Sequence, residues 1–443
     1  MPVTPSSSAD SRLIRGIGRW ALTAFTINLT IGSGIFGLPA RIQTLVGNYS
    51  VLVIVGCGLL MALIALCFAE IGSRFDRSGG PQLYASTAFG PGAGFTVGWL
   101  LWLSRLGTCA AVSNLLVDYA QALWPGAGEP FARGVIISLL VLAYAWINVR
   151  GIKQTSAVST AFTVSKLIPL IAFVAVGLWV LDASTLRVGA LPSVTNLSNA
   201  VLLAAFAFIG FDATGVLAGE VRDPARSVPF AIGVSMIVFI VLYSLIQLVC
   251  VAALSDLASS ERPLADAAEA LVGPSGAVLI ALAAMIACAG VFGASLTPGT
   301  RLLFAMSDSG QLPRPISRIH ERFATPAIAI VLTSIAALAL ALSGSFIYLV
   351  KVTLIARITV YSLTCVILPQ LRRRKDVPPA AFSLWGGTVV AYVCAVLCAL
   401  FLATSSMREL LDVFVAVALG LVIFGFTRYL QRAPVEVPAR DEP

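Results

Sequence analysis

The sequence predicts an all-α integral membrane protein with twelve transmembrane helices, and three observations carry that prediction. Of 443 residues, 58% are hydrophobic and 11% charged, against about 25% charged in an ordinary soluble domain. The apolar residues gather in twelve runs, roughly 19–46, 50–72, 92–122, 131–150, 155–181, 197–220, 229–254, 275–306, 326–344, 346–370, 384–403 and 408–430, near the length of about 20 residues that a helix needs to cross a bilayer. The basic residues fall between alternate runs. With the N-terminus placed inside, twenty of the 29 Lys and Arg lie in inside segments, among them Arg12, Arg15, Arg19 and Arg372-Arg-Arg-Lys375. Outside lie Arg41, Arg133, Arg187, Arg262 and Arg408. That asymmetry is the positive-inside pattern, and an even number of spans then puts both termini in the cytoplasm of a cell whose inner membrane the chain crosses.

Several classes fall away at once. The +8 net charge sits in short clusters between apolar runs and not on a soluble face, so membrane lipids and not nucleic acid are the expected neighbours. All eight cysteines lie inside apolar runs, which gives no disulfide framework and no metal-ligand spacing. His320 is the only histidine, so neither a histidine-rich metal centre nor a Ser-His-Asp triad is available. No GxxxxGK[ST] phosphate loop is present, and no cofactor is expected.

Taken in order, residues 1–18 form a polar cytoplasmic tail. Arg12, Arg15 and Arg19 precede an apolar run too long for a signal-peptide core and lacking a small-residue cleavage pattern. The first span holds Gly32-Ser33-Gly34 near its middle, where a helix should be strongest. Open backbone at membrane depth survives only inside protein or beside a watery cavity. A small-residue packing patch is the plainer reading, but Gly37 and Pro39 add more helix-weakening residues than packing needs. A second interruption falls in span six, where Gly210 and Gly215 flank an ionisable Asp212.

Breaks in spans one and six predict a five-plus-five inverted repeat with broken helices 1 and 6, because an odd number of spans per repeat inverts the second copy. The first repeat is 19–181 and the second 197–371. Residues 384–430 form two appended helices, and 431–443 a cytoplasmic C-terminal tail. At the first break, the N–H groups that open the second half-helix favour a carboxylate. Carbonyls freed around Ile27 to Ile31 and Phe206 to Ile209 favour an ammonium group.

Four stretches together resemble the amino acid/polyamine/organocation (APC) transporters, of which bacterial amino acid permeases are members. Gly32-Ser-Gly-Ile-Phe-Gly-Leu-Pro39 is similar to the family's first-span motif. Phe68-Ala-Glu70 with Ser78-Gly-Gly-Pro81 and Tyr84 is similar to the connection from span two to span three. Phe208-Ile-Gly-Phe-Asp212 through Gly219-Glu220, Asp223-Pro224 and Pro229 resembles the sixth span and its exit. Arg301-Leu-Leu-Phe-Ala-Met306 with Asp308, Gly310 and Pro313 resembles the end of the eighth. Gln82 departs from the family, which often has an aromatic residue there.

The resemblance implies a secondary active transporter that carries an amino acid by alternating access, and not an enzyme. Exchange, or transport of polyamines or cationic amino acids, is the alternative within the class; a channel and a membrane enzyme are rivals outside it. The implied substrate-binding residues are Ile31, Gly32, Ser33, Gly34, Phe206, Ala207, Ile209 and Gly210, with Phe206 as a lid over the site. Small or neutral apolar substrates are expected, since Asp212 is the only acid facing the breaks. The oligomeric state stays open.

Lys166 lies near the middle of span five, where a charged side chain costs about 3 kcal/mol to insert. Both a structural and a functional reading place its ammonium against the broken first helix. Some APC transporters carry a fifth-span lysine where sodium-coupled relatives of the same fold place a cation, so the resemblance implies proton coupling through Lys166 and disfavours a sodium site at Ser295 and Thr297. Asp212 is either a cap for the second half-helix or part of a gate. Arg105 calls for a neighbouring carboxylate or carbonyls. Arg357 and Tyr361, at i, i+4, form a gate or a structural network, and Lys351 is near enough to an end to snorkel. Asp223, Arg226 and Asp308 are candidates for ion pairs that hold the inner side closed.

Overall fold

A computed structural model describes residues 13–180, 189–343, 346–403 and 407–432. The expected tail 1–18 is described from Leu13 onward, and 431–443 only at Gln431 and Arg432; Arg12, Arg187 and the side chains of Ser33, Lys351 and Arg408 lie outside the described residues.

Span one is two helices, α1 (Arg19–Thr30) and α2 (Ser33–Val46). Span two is α3 (Ser50–Gly72), followed by a short helix α4 (Pro81–Phe89). Spans three to five are α5 (Pro91–Leu123), α6 (Pro130–Arg150) and α7 (Ile152–Trp179). Span six is α8 (Val194–Ala207), a turn over 208–212 and α9 (Ala213–Val216). Span seven is α10 (Pro224–Ala253), followed by a second short helix α11 (Pro263–Val272). The remaining spans are α12 (Pro274–Asp308), α13 (Ala327–Leu342), α14 (Phe346–Arg373), α15 (Gly387–Ala403) and α16 (Met407–Arg432). Eight helical stretches are long and apolar enough to cross a membrane, and α8, α13 and α15 are shorter apolar helices. With the split first span these account for all twelve expected segments.

The packing repeats under exchange of each span for the one five later. Spans two and seven pack together, as do three and eight, and four and nine, each pair matching itself. Span one on seven is matched by six on two, five on eight by ten on three, and five on seven by ten on two. The sequence echoes this. Each short helix starts with proline and ends at a glycine in the left-handed region, Gly90 (φ 91°) or Gly273 (φ 81°), with the next span opening on Pro91 or Pro274. Left-handed glycine stops one helix and proline at its first position starts the next. The fold is thus the five-plus-five inverted repeat, with α15 and α16 packed on α14 and α16 also on α5.

Both breaks are real. Ile31 (φ −74°, ψ 90°) and Gly32 (φ −134°, ψ −150°) are extended between α1 and α2. In span six, Gly210 adopts φ 140°, a conformation that only glycine takes readily. A Cβ there would lie 2.6 Å from Thr30 Oγ1, so the same glycine lets the second break touch the first.

Candidate functional site

A cavity of about 50 Å³ lies where the two breaks meet. It is lined by Leu29, Thr30, Gly32 and Gly34 of span one and Phe206, Ala207 and Ile209 of span six. Thr108 and Val112 of α5, Val291 of α12, and Thr353, Leu354 and Arg357 of α14 complete the lining. Its volume suits ordered water.

Of the expected substrate-binding residues, Gly32, Gly34, Phe206, Ala207 and Ile209 line this cavity. Ile31 and Gly210 stand behind it: the Ile31 carbonyl accepts from Lys166, and the Gly210 N–H donates to Tyr361 Oη at 3.3 Å. The α14 and α5 residues were beyond sequence reasoning because a single chain does not fix how a span is rotated.

Among the described residues no side chain caps the N-terminus of α2, whose cap position is Gly32; this leaves the N–H groups of its first turn and the positive end of its dipole beside the cavity. The freed carbonyls behind it are already engaged. Asn28 O and Ile31 O accept from Lys166 Nζ at 2.7 and 2.6 Å, and Thr30 O accepts from Tyr243 Oη at 3.2 Å. Ile27 O accepts the Ile31 N–H at 2.9 Å. The expected ammonium site on span one is therefore occupied by the protein's own donors, because two side chains of spans five and seven reach the same strip of backbone.

Lys166 is fully buried, and α7 is tied to α1 in the two turns before it. Asn28 Nδ2 donates to Ser159 Oγ at 2.9 Å, and Thr163 Oγ1 donates to Ala24 O at 2.7 Å.

Asp212 corrects the capping expectation. Its side chain caps nothing, and α9 beyond it has four residues, too short for a substantial dipole. Its carboxylate instead pairs with Arg105 and accepts from Tyr361 Oη at 2.7 Å. Arg357 Nη1 lies 3.8 Å away, while its Nε and Nη2 donate to Ser104 Oγ and Thr108 Oγ1. Arg105 thus has the carboxylate it required, and Arg357 with Tyr361 forms one network with it. Phe68 packs edge-on against Phe211 and Tyr361, with ring centroids 5.3 and 5.2 Å apart, sealing this charged cluster from below.

Ser295 and Thr297 differ in their surroundings. Thr297 Oγ1 donates to Asn148 Oδ1 on α6, and Ser295 Oγ is buried with no partner among the described residues.

The end of the bundle that carries the basic clusters is packed shut. Gly79 N–H donates to Val216 O at 3.3 Å, and Ile17 and Val221 form a short parallel bridge. Gln82 Nε2 donates to Gln311 Oε1 at 2.9 Å, which gives the departure at position 82 a role: an amide pair joins the start of α4 to the exit of α12. Arg301 holds Glu220 through Nε and Nη2 at 3.0 and 3.1 Å. Arg372 holds Glu70 at 2.8 and 2.6 Å. The expected lock at Asp223 is different: its pair with Arg226 is local, 4.0 Å long and exposed, so it joins no two spans.

Paired broken helices around a central cavity in an inverted repeat define a helical membrane transporter. A profile of the amino acid permease family matches residues 17–426, and the chain belongs to that family, whose members are transporters and not enzymes. It is 27% identical to the methylthioribose transporter of Bacillus subtilis over 442 residues, covering 95% of this chain and 94% of that protein. It is 25% identical to the branched-chain amino acid permease BcaP of the same organism over 440 residues, with 95% and 94% covered. A putative arginine/ornithine antiporter of B. subtilis matches at 27%, over 72% of this chain and 75% of its own.

Proposed function

We propose that the chain is a secondary active transporter of amino acids that works by alternating access, with proton-coupled uptake. The observation that carries this is the uncapped start of α2, opening beside Gly32 and Gly34 onto a cavity that five spans enclose. It offers N–H groups to a carboxylate at mid-membrane. Phe206 lines the same cavity and serves as the lid. The basic end faces the cytoplasm of the inner membrane, so both termini are inside, and repeats 19–181 and 197–371 enclose the cavity, with α15 and α16 appended.

Lys166 is the coupling residue in this reading. Its Nζ donates to the freed carbonyls Asn28 O and Ile31 O, so gain or loss of its proton is felt at the break itself. Cationic amino acids and polyamines fit less well, because Asp212 is held by Arg105 and Tyr361 and has no charge to spare.

Proteoliposomes preloaded with unlabelled amino acid should take up labelled amino acid saturably, and an acid exterior should drive its accumulation beyond equilibrium. Retained counterflow with no response to the gradient would mark an exchanger; no saturable counterflow would rule out the carrier. A companion variant tests the site. A Cβ on Gly34 would meet Ala207 Cα at 3.3 Å and Phe206 Cδ1 at 3.5 Å. Gly34→Ala should therefore abolish the melting-temperature shift given by substrate while changing the unliganded protein by about 1 kcal/mol or less.

A further inference from the structure

We infer that the transported molecule carries a second carboxylate and presents it to Arg357, so that acidic amino acids are the substrate class. This rests on the reading of the cavity as an amino acid site and specifies the side chain it accepts.

The argument begins from charge. One carboxylate, Asp212, lies between two buried guanidiniums. Arg105 takes Oδ2 and Tyr361 takes Oδ1. Arg357 is left 3.8 Å from Asp212, beyond a hydrogen bond. Its direct partners are two neutral hydroxyls, Ser104 and Thr108. Arg357 is 3% exposed and lines the cavity, so the uncompensated charge of the cluster sits on the cavity wall. Arg105 compounds the excess, with Nε and Nη1 buried and unpartnered among the described residues. Two buried guanidiniums sharing a single carboxylate leave an excess positive charge that is costly, and an anionic group entering the cavity relieves that cost.

The rest of the wall supports the same sign. The uncapped end of α2 favours one carboxylate, and Lys166 and Tyr243 already donate to Asn28 O, Ile31 O and Thr30 O, three of the carbonyls that would draw a cation. A guanidinium that lines the same cavity as Gly34, with Thr108 and Thr353 of α5 and α14, is a place for the side-chain end of a molecule whose α-carboxylate is on span one.

The test is thermal stability of the purified full-length protein with L-glutamate, L-aspartate, L-glutamine, L-leucine, L-arginine and potassium chloride titrated separately. L-glutamate or L-aspartate should stabilise at concentrations about ten- to a hundredfold lower than L-glutamine, the ratio a charge-assisted hydrogen bond confers. Arg357→Gln should erase that preference and Arg357→Lys should keep most of it. If Arg357→Gln does not fold, the ranking on the native protein decides. L-glutamine, L-leucine or L-arginine binding as tightly as the acids overturns this inference and leaves the transporter reading standing. An equal shift from chloride alone assigns Arg357 to an inorganic anion and also overturns it. No shift with any of the amino acids overturns both.

Discussion

Replacing Lys166 with alanine is expected to remove the response of uptake to an imposed proton gradient and to lower the melting temperature. The side chain is fully buried and its Nζ donates to Asn28 O and Ile31 O. Alanine leaves both carbonyls without a donor, at about 1–3 kcal/mol each, and α1 and α7 lose a tie at the break itself. Stability alone would not separate a structural lysine from a coupling one. The useful distinction is chemical: an ammonium has three N–H donors and a neutral amine two, so either form can serve two carbonyls. The hydrogen bonds therefore do not fix the charge. The contrast is measured in proteoliposomes at equal protein density, with and without an acid exterior. Gradient-stimulated accumulation should be present in the native protein and absent in Lys166→Ala, while counterflow without a gradient persists in both. Full stimulation in the variant would make Lys166 a structural clamp and nothing more.

The same residue shows why part of this site is legible in sequence. A lysine mid-span has few places to go, and the carbonyls opened by Gly32 are the nearest acceptors that helix geometry supplies. The glycines that break spans one and six carry their own conformational signature, and Gly210 does take a backbone angle other residues avoid. Arg105 was readable as needing a partner but not as needing Asp212. That pairing depends on the rotation of α5 against the turn at 208–212, which a single chain does not encode locally. For the same reason the α5, α12 and α14 walls of the cavity, Arg357 included, appear only in three dimensions. Of the two readings the sequence leaves open for Asp212, the cap does not form. The partial charge at the start of a four-residue helix is small beside a full guanidinium charge in contact, so the carboxylate follows Arg105. The short helices α4 and α11 show the opposite failing: their shared proline starts and glycine stops were present in the sequence and reveal the repeat once its two-fold packing is known.

Removing Arg301 is expected to destabilise the protein by about 3–5 kcal/mol, the usual consequence of leaving a buried charge without its partner. Glu220 closes span six, and Arg301, at the far end of α12, meets it with two parallel hydrogen bonds. Both are essentially inaccessible, at 0% and 1% exposure. Arg301 Nη1 also donates to Asn148 Oδ1 and Thr300 Oγ1, so spans four, six and eight converge on one guanidinium. A buried ion pair adds little net stability over a well-packed neutral substitute; what it does add is a discrete bonded state that is either made or broken. In the proposed alternating access the basic end opens, and the bidentate contact between spans six and eight is the proposed lock that this opening undoes. Arg301→Gln should then lower the melting temperature sharply, and Glu220→Gln by a comparable amount. The double variant Glu220→Gln/Arg301→Gln, with an amide pair in place of the ions, should recover more than half of either loss. A double-mutant cycle from thermal denaturation in detergent measures this directly. A coupling energy below about 0.5 kcal/mol would place the lock elsewhere, with Glu70 and Arg372 as the next pair to cycle, since they too join two spans at the closed end through paired hydrogen bonds.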